Sequence, residues 1–173
     1  MKAARRDSYG PPEVVEVREV ERPSPKHDEV LVRVRAASIN RADLDYLGPR
    51  PGFLRYLIGV RAPRDPRMGI DVAGVVESVG ANVTGFRPGD RVFADLFAFG
   101  AGAFAEYVSA HERAFATIPD GMTFEDAATL PHSAILAVQG LRRRNGRTCA
   151  SGRSARSRAL PRTARTGRRS GAR

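Results

Sequence analysis

Residues 29–37 read EVLVRVRAA. Val30, Val32 and Val34 recur at period two, with Leu31, Arg33 and Arg35 between them. That period places one apolar row on one side of a strand, and a helix cannot keep it. Similar signals return at short intervals. Residues 13–20, EVVEVREV, lie between the turn clusters YGPP and ERPSP. Residues 69–79 read as a further strand, and RVFAD at 91–95 follows the turn RPGD, where Pro88 pre-sets φ and Gly89 permits a positive one. GAFAEYVSA at 102–110 and AFATIP at 114–119 complete the series. Short strands at this spacing imply a compact β barrel or sandwich over 1–119.

The stretch GIDVAGVVESVG at 69–80 raises a chemical question. Glycines 69, 74 and 80 punctuate small and β-branched residues, and one carboxylate, Asp71, sits among them. A buried charge is costly unless it is paired. Asp71 is therefore a catalytic carboxylate, a metal ligand or a structural hydrogen-bond acceptor.

Helical signals are few. In SINRADLDYL, residues 38–47, Ser38 and Asn40 can cap, and Ala42, Leu44 and Leu47 suit a short helix. Residues 48–68 are rich in Pro, Gly and Arg and read as a long loop carrying the apolar patch FLRYLIGV. At 121 the period changes. Thr123 stands three residues before Asp126, a capping-box spacing. Pro131 restarts a helix with Ile135, Leu136, Val138 and Leu141 as its apolar positions.

The net charge of +10 suggests a nucleic-acid partner until its distribution is examined. Residues 141–173 hold twelve arginines and no acid, which leaves seventeen basic and nineteen acidic groups in 1–140. The basic character belongs to the tail, and the body is a slightly acidic domain. Cys149 is the only cysteine, so neither an intrachain disulfide nor a multi-thiolate zinc site is expected. The start MKAARRDSYG lacks the apolar core of a secretory signal. The ten uncharged residues LFAFGAGAFA are too few to span a bilayer. A cytoplasmic protein with no membrane partner is expected.

Taken in order, YGPPEVVEV, PKHDEVLVRVRAASIN, GIDVAGVVESVG, FRPGDRVF, GAFAEYV and FEDAATLP resemble the N-terminal, GroES-like half of the medium-chain dehydrogenase/reductase superfamily. The resemblance is closest to its zinc-independent branch, the quinone oxidoreductases, and covers roughly residues 1–141. It implies a mainly β fold: a GroES-like, partly open β barrel with short helices, then a C-terminal helical segment and a disordered basic tail. The implied division is a GroES-like catalytic domain at 1–120, the helical start of a truncated Rossmann cofactor domain at 121–145, and the tail at 146–173.

The zinc enzymes of the superfamily place a cysteine ligand just after the strand that ends here at Ala37, and a histidine in Gly-His-Glu. This chain has Ser38-Ile39-Asn40 and Gly69-Ile70-Asp71 at those places and lacks the four-cysteine lobe. The resemblance thus implies hydride transfer from NADPH or NADH to a quinone, enone or related carbonyl without zinc. Hydrogen-bond donors must then take up the charge on the reduced substrate. The resemblance places Asn40 near the nicotinamide and the substrate, a role compatible with capping the following turn. Asp43, on the same turn, is the second catalytic candidate. Tyr46 either lines a substrate pocket or lies on the surface. Thr129 and Leu130 match the segment packed beside the nicotinamide, or are simply helix packing. With Ile70 at the ligand position, Asp71 is expected to be structural, accepting from backbone amides or an arginine. His27 and His111 are expected in exposed loops, and His132 lies toward the cofactor side.

The superfamily continues with Pro-Gly-Glu, a strand and a glycine-rich turn that cradles the cofactor pyrophosphate. Residues 146–173 contain nine Arg, five Ala, four Ser and four Gly, and cannot form a packed core. Ala150–Ala155 can be encoded GCG TCC GGG CGA AGC GCT. Read one base later, that gives Arg-Pro-Gly-Glu-Ala, so an out-of-frame tail is expected. This chain alone is then inactive and holds no dinucleotide stably, with association or aggregation through exposed helices. The alternative is a stand-alone GroES-like binding module with a nucleic-acid-binding tail. Spaced arginines do bind phosphates, yet no aromatic is interleaved here for base stacking.

Overall fold

The alternation at Val30 forms the centre of the sheet. The structure is a computed structural model that describes residues 1–48, 52, 53, 56 and 59–150, the last eight by backbone alone. Much of the apolar patch at 53–60, and the tail from 151, lie outside these residues. The strands described are β1 (Lys2–Arg5), β2 (Glu16–Glu19), β3 (Glu29–Ser38), β4 (Asp71–Val79), β5 (Arg91–Asp95), β6 (Tyr107–His111) and β7 (Phe115–Thr117). The α-helices are α1 (Arg41–Leu47), α2 (Phe124–Thr129) and α3 (Pro131–Ala150). The chain divides into two units, Met1–Gln139 and Gly140–Arg173.

Strands β3 to β7 form one antiparallel sheet in the order β6-β3-β4-β5-β7, and β1 pairs with β2 in a separate ribbon. Neither end of the five-stranded sheet closes on the other, so the architecture is the mainly β, open one that the resemblance implies. Val30 and Val32 pack with Val72, Val76, Val92, Leu96 and Val108 in the principal core. Leu31, on the opposite side of β3, is buried as well. Helix α2 lies against the sheet, with Ala127 and Ala128 packed near Ala73 and Ile118.

Two glycines of 69–80 have visible reasons. Gly69 has φ +86, and a Cβ there would stand 2.8 Å from the Phe104 backbone nitrogen. Its carbonyl accepts from the amides of Gly102 and Ala103, which ties the loop before β6 to the entrance of β4. Within β4, a Cβ on Gly74 would meet the Arg33 carbonyl oxygen at 2.3 Å, beside an irregularity in the β3–β4 register.

Several expected boundaries shift. Residues 12–14 form a 3-10 turn, and β2 starts at Glu16 rather than 13. Strand β6 starts at Tyr107 rather than 102, because Gly102–Phe104 bond back to Met68 and Gly69. His111 is not in an exposed loop: it ends β6 opposite Glu29, half-buried, and its Nδ1 accepts from the Arg113 amide. Strand β1 gives no period-two signal in KAAR. It forms through its pairing with β2 and the burial of Ala3. Helix α3 continues to Ala150, past the boundary expected at 145.

Candidate functional site

Sheet register assembles the centre of the site. Ser38 lies opposite Asp71 across β3 and β4, and Asp71 lies opposite Asp95 across β4 and β5. Two carboxylates facing each other on neighbouring strands destabilise a sheet unless both find partners. Both do. Asp71 is almost wholly buried, and its Oδ2 accepts from Asn40 Nδ2 at 2.8 Å and from Ser38 Oγ at 3.4 Å. Its Oδ1 accepts from the backbone N–H of His132 at 3.0 Å. Asp95 Oδ2 lies 3.0 Å from His132 Nδ1, and its Oδ1 accepts from the Phe97 amide at 2.8 Å. The expectation of a structural Asp71 matches these bonds. Of the two donors expected, backbone amides or an arginine, the backbone N–H of His132 is present, joined by an amide side chain and a hydroxyl.

The turn after β3 supplies the next layer. Asn40 is the N-cap of α1: its Oδ1 accepts from the Ala42 amide at 2.8 Å. Asp43 Oδ2 accepts from the Asn40 amide at 2.9 Å, completing a reciprocal capping box. Asp43 is buried, and its Oδ1 has no hydrogen-bond partner. Burial pushes the Asp43 carboxyl above the usual aspartate range, against the Asn40 amide and with help from the charges of Asp71 and Asp95. Asp71 is raised for the same first reason, opposed by its bonds from Asn40 and His132.

Aromatic side chains flank the carboxylates. The Tyr46 and Phe97 ring centroids are 6.0 Å apart, and Phe97 lies 5.6 Å from the His132 ring. Tyr46 is half-buried and Phe97 is exposed. Burial raises the Tyr46 hydroxyl above its ordinary value, with Arg6 opposing.

The structure thus brings Asn40, as cap, and Asp43 and Tyr46 together at one short helix, and links Asn40 through Asp71 to the His132 backbone. Thr129 and Leu130 lie at the end of α2, both exposed, and the Thr129 hydroxyl donates to the Asp126 carbonyl at 2.8 Å. Sequence reasoning passed over Asp95, Phe97 and Arg6. The carboxylate ending the alternating strand RVFAD was the available signal for Asp95. Register alone reveals that it faces Asp71.

Residues 26–120, more than half of the chain, match the family described as the alcohol dehydrogenase GroES-like domain. The chain belongs to this family. It is 38% identical over 123 residues to a chloroplastic quinone-oxidoreductase homolog of Spinacia oleracea, a match that covers 71% of this chain and 36% of that protein. The chain therefore spans little more than a third of the length of this relative. Among solved structures, the quinone oxidoreductase from Coxiella burnetii superposes with a TM-score of 0.72 at 28% identity, covering 83% of this chain and 44% of that one. A mycobacterial protein solved with NADPH superposes with a TM-score of 0.67 at 29% identity, covering 82% of this chain and 41% of that one. Among the described residues no helix is long and apolar enough to cross a membrane.

Proposed function

We propose that the chain is the N-terminal portion of a nicotinamide-dependent oxidoreductase that reduces quinones, enones or related carbonyls without zinc. The observation that carries this reading is the state of Asn40. One N–H of its amide goes to Asp71, and its oxygen goes to the cap of α1. An asparagine amide has two N–H donors, so one remains on a side chain whose other bonds fix its direction. Such a donor suits an oxygen that gains negative charge as a hydride arrives. Asp43 acts as a positioning residue for Asn40, and Tyr46 lines the substrate side.

The zinc ligand positions support the same reading. Ile70 has no donor atom and is buried, and Ser38 is bonded to Asp71. Among the described residues no three His, Cys, Asp or Glu side chains are grouped to hold a metal ion, which supports the zinc-free reading.

When bound, NADPH or NADH supplies the hydride. Asn40, Thr129 and Leu130 would meet its nicotinamide end. The Thr129 hydroxyl is already engaged by the Asp126 carbonyl, so it offers packing rather than a donor. The sequence after 141 holds no glycine-rich turn for the pyrophosphate. Losing that anchor removes positioning that can be worth roughly 7–11 kcal/mol of barrier. These 173 residues on their own are accordingly proposed to be inactive, with residues beyond about 150 read out of frame, in the cytoplasm.

The test is the gene downstream of the codon for Arg147. Its neighbouring frame should encode a strand followed by a glycine-rich turn. A protein joining residues 1–147 to that segment should oxidise NADPH in the presence of 1,4-naphthoquinone or an enone, and Asn40→Ala should lower its kcat. A well-folded joined protein with no such activity overturns the reading.

A further inference from the structure

Arg6, just past β1, is only 2% exposed. Its guanidinium donates to the Tyr46 backbone carbonyl and lies 5.5 Å from the Tyr9 ring centroid and 5.8 Å from that of Tyr46. Its Nε is buried with no hydrogen-bond partner. Burial pulls this guanidinium below the ordinary arginine value, against Tyr9, Tyr46 and Asp65. Asp65 acts on it only at a distance, with no hydrogen bond between the two among the described residues. Arg67 holds both Asp65 oxygens, through Nε at 3.0 and 2.9 Å and through Nη2 at 2.6 Å. A buried cation with no carboxylate bonded to it is costly, and an anion bound beside it would lower that cost.

The surroundings of Arg6 suit one. Arg6 lines a cleft of about 230 Å³ together with Arg64, the Asp65–Arg67 pair, Tyr46 and Phe97. Three arginines against one aspartate leave the cleft with an excess of two positive charges. Arg64 is exposed, while Tyr46 and Phe97 offer ring faces. Gly100 completes the wall at φ +86, where a Cβ would stand 2.6 Å from Arg67 Nη2, so the wall stays free of a side chain there. The volume is smaller than the roughly 300–1,000 Å³ of sites for drug-sized ligands, so it suits a single ring or an end group.

We propose that this cleft binds a small aromatic carboxylate, its acidic group held by Arg6 and Arg64 and its ring against Tyr46 and Phe97. A planar carboxylate matches the guanidinium fork. The ring supplies the apolar contact that separates this ligand from inorganic anions. The cleft shares Tyr46 with the substrate side proposed above, but binding here needs neither cofactor nor hydride transfer, so a failed reduction assay leaves the inference standing.

The test is NMR titration of the 15N-labelled 173-residue chain with benzoate, benzamide and acetate. Benzoate should shift the amides of Arg6, Tyr46, Arg64 and Phe97. Benzamide, the neutral counterpart, should bind at least about tenfold more weakly, because hydrogen bonds to charged groups are the stronger ones. Acetate, which lacks the ring, should also bind more weakly. Arg64→Gln, a change at an exposed position, should weaken benzoate roughly threefold. Arg6→Met should abolish binding if the variant folds, and if it does not, Arg64→Gln decides. Equal binding of benzoate and benzamide, unchanged affinity in Arg64→Gln, or shifts confined to the arginine-rich residues after 141 would each overturn the proposal.

Discussion

Asn40 Nδ2 donates to Asp71 Oδ2 at 2.8 Å, fastening the first turn of α1 to the start of β4 across 31 residues of sequence. The same asparagine caps α1, and the same aspartate receives the first backbone N–H after Pro131. One buried carboxylate therefore sets the relative position of a strand and two helix starts. It also explains how a charge is tolerated at the head of an apolar strand.

Replacing Asn40 by alanine should remove both functions. A lost N-cap costs about 1 kcal/mol, and a buried acceptor stripped of a partner costs roughly 1–3 kcal/mol more. Asn40→Ala should therefore lower unfolding stability by about 2–4 kcal/mol in urea titrations. A loss below about 0.5 kcal/mol, the size of an ordinary surface change, would show that the bond to Asp71 contributes little.

Asp43 gives a pH dependence of definite sign. Its carboxyl is raised in the folded state by burial, so the native chain binds a proton more readily than the unfolded one. Stability contributed at this position falls as pH rises from the ordinary aspartate value of 3.8 through the raised folded value. Asp43→Asn removes that titration while keeping an oxygen to accept from the Asn40 amide. Relative to the parent, the variant should gain stability between acidic and neutral pH. A parent-to-variant difference that does not change with pH, measured by denaturation at matched ionic strength, would rule the raised carboxyl out.

Gly69 is held by two constraints at once. Its φ of +86 suits glycine, and a Cβ would stand 2.8 Å from a backbone nitrogen that has little room to move. A side chain in the left-handed region costs roughly 1–2 kcal/mol before any clash is counted. Gly69→Ala should therefore destabilise by more than about 2 kcal/mol, measured as a shift in urea midpoint at unchanged slope. Tolerance of alanine would mean that the Gly102–Phe104 loop can give way.

What could be read from the sequence followed the range of the signals. The alternation of Val30, Val32 and Val34, the RPGD turn and the Thr123–Asp126 cap are local, and each appears where its residues stand. Strand β1 was hidden because KAAR carries no period, and its place depends on a partner more than ten residues away. Asn40, Asp43 and Tyr46 were legible as neighbours, because they lie within seven residues of sequence. Asp95 and Arg6 were not, because register sets one against Asp71 and tertiary packing buries the other between two tyrosines.

The last prediction concerns α3. Ile135, Leu136 and Val138 are 45%, 54% and 46% exposed, and Leu141 is 63% exposed. Large apolar side chains grouped on one helix this way favour association, since each contributes about 1.5–3 kcal/mol once buried. The chain should self-associate as its concentration rises, seen as an increasing weight-average mass in sedimentation velocity. Ile135→Glu combined with Leu136→Glu should shift it toward monomer. Because both positions face solvent in the single chain, the melting temperature measured at low concentration should hardly move, surface changes of this kind staying within about 0.5 kcal/mol. A parent chain that is monomeric at every concentration would show that the exposed row needs no cover. A double variant that unfolds would show instead that these side chains stabilise the chain itself.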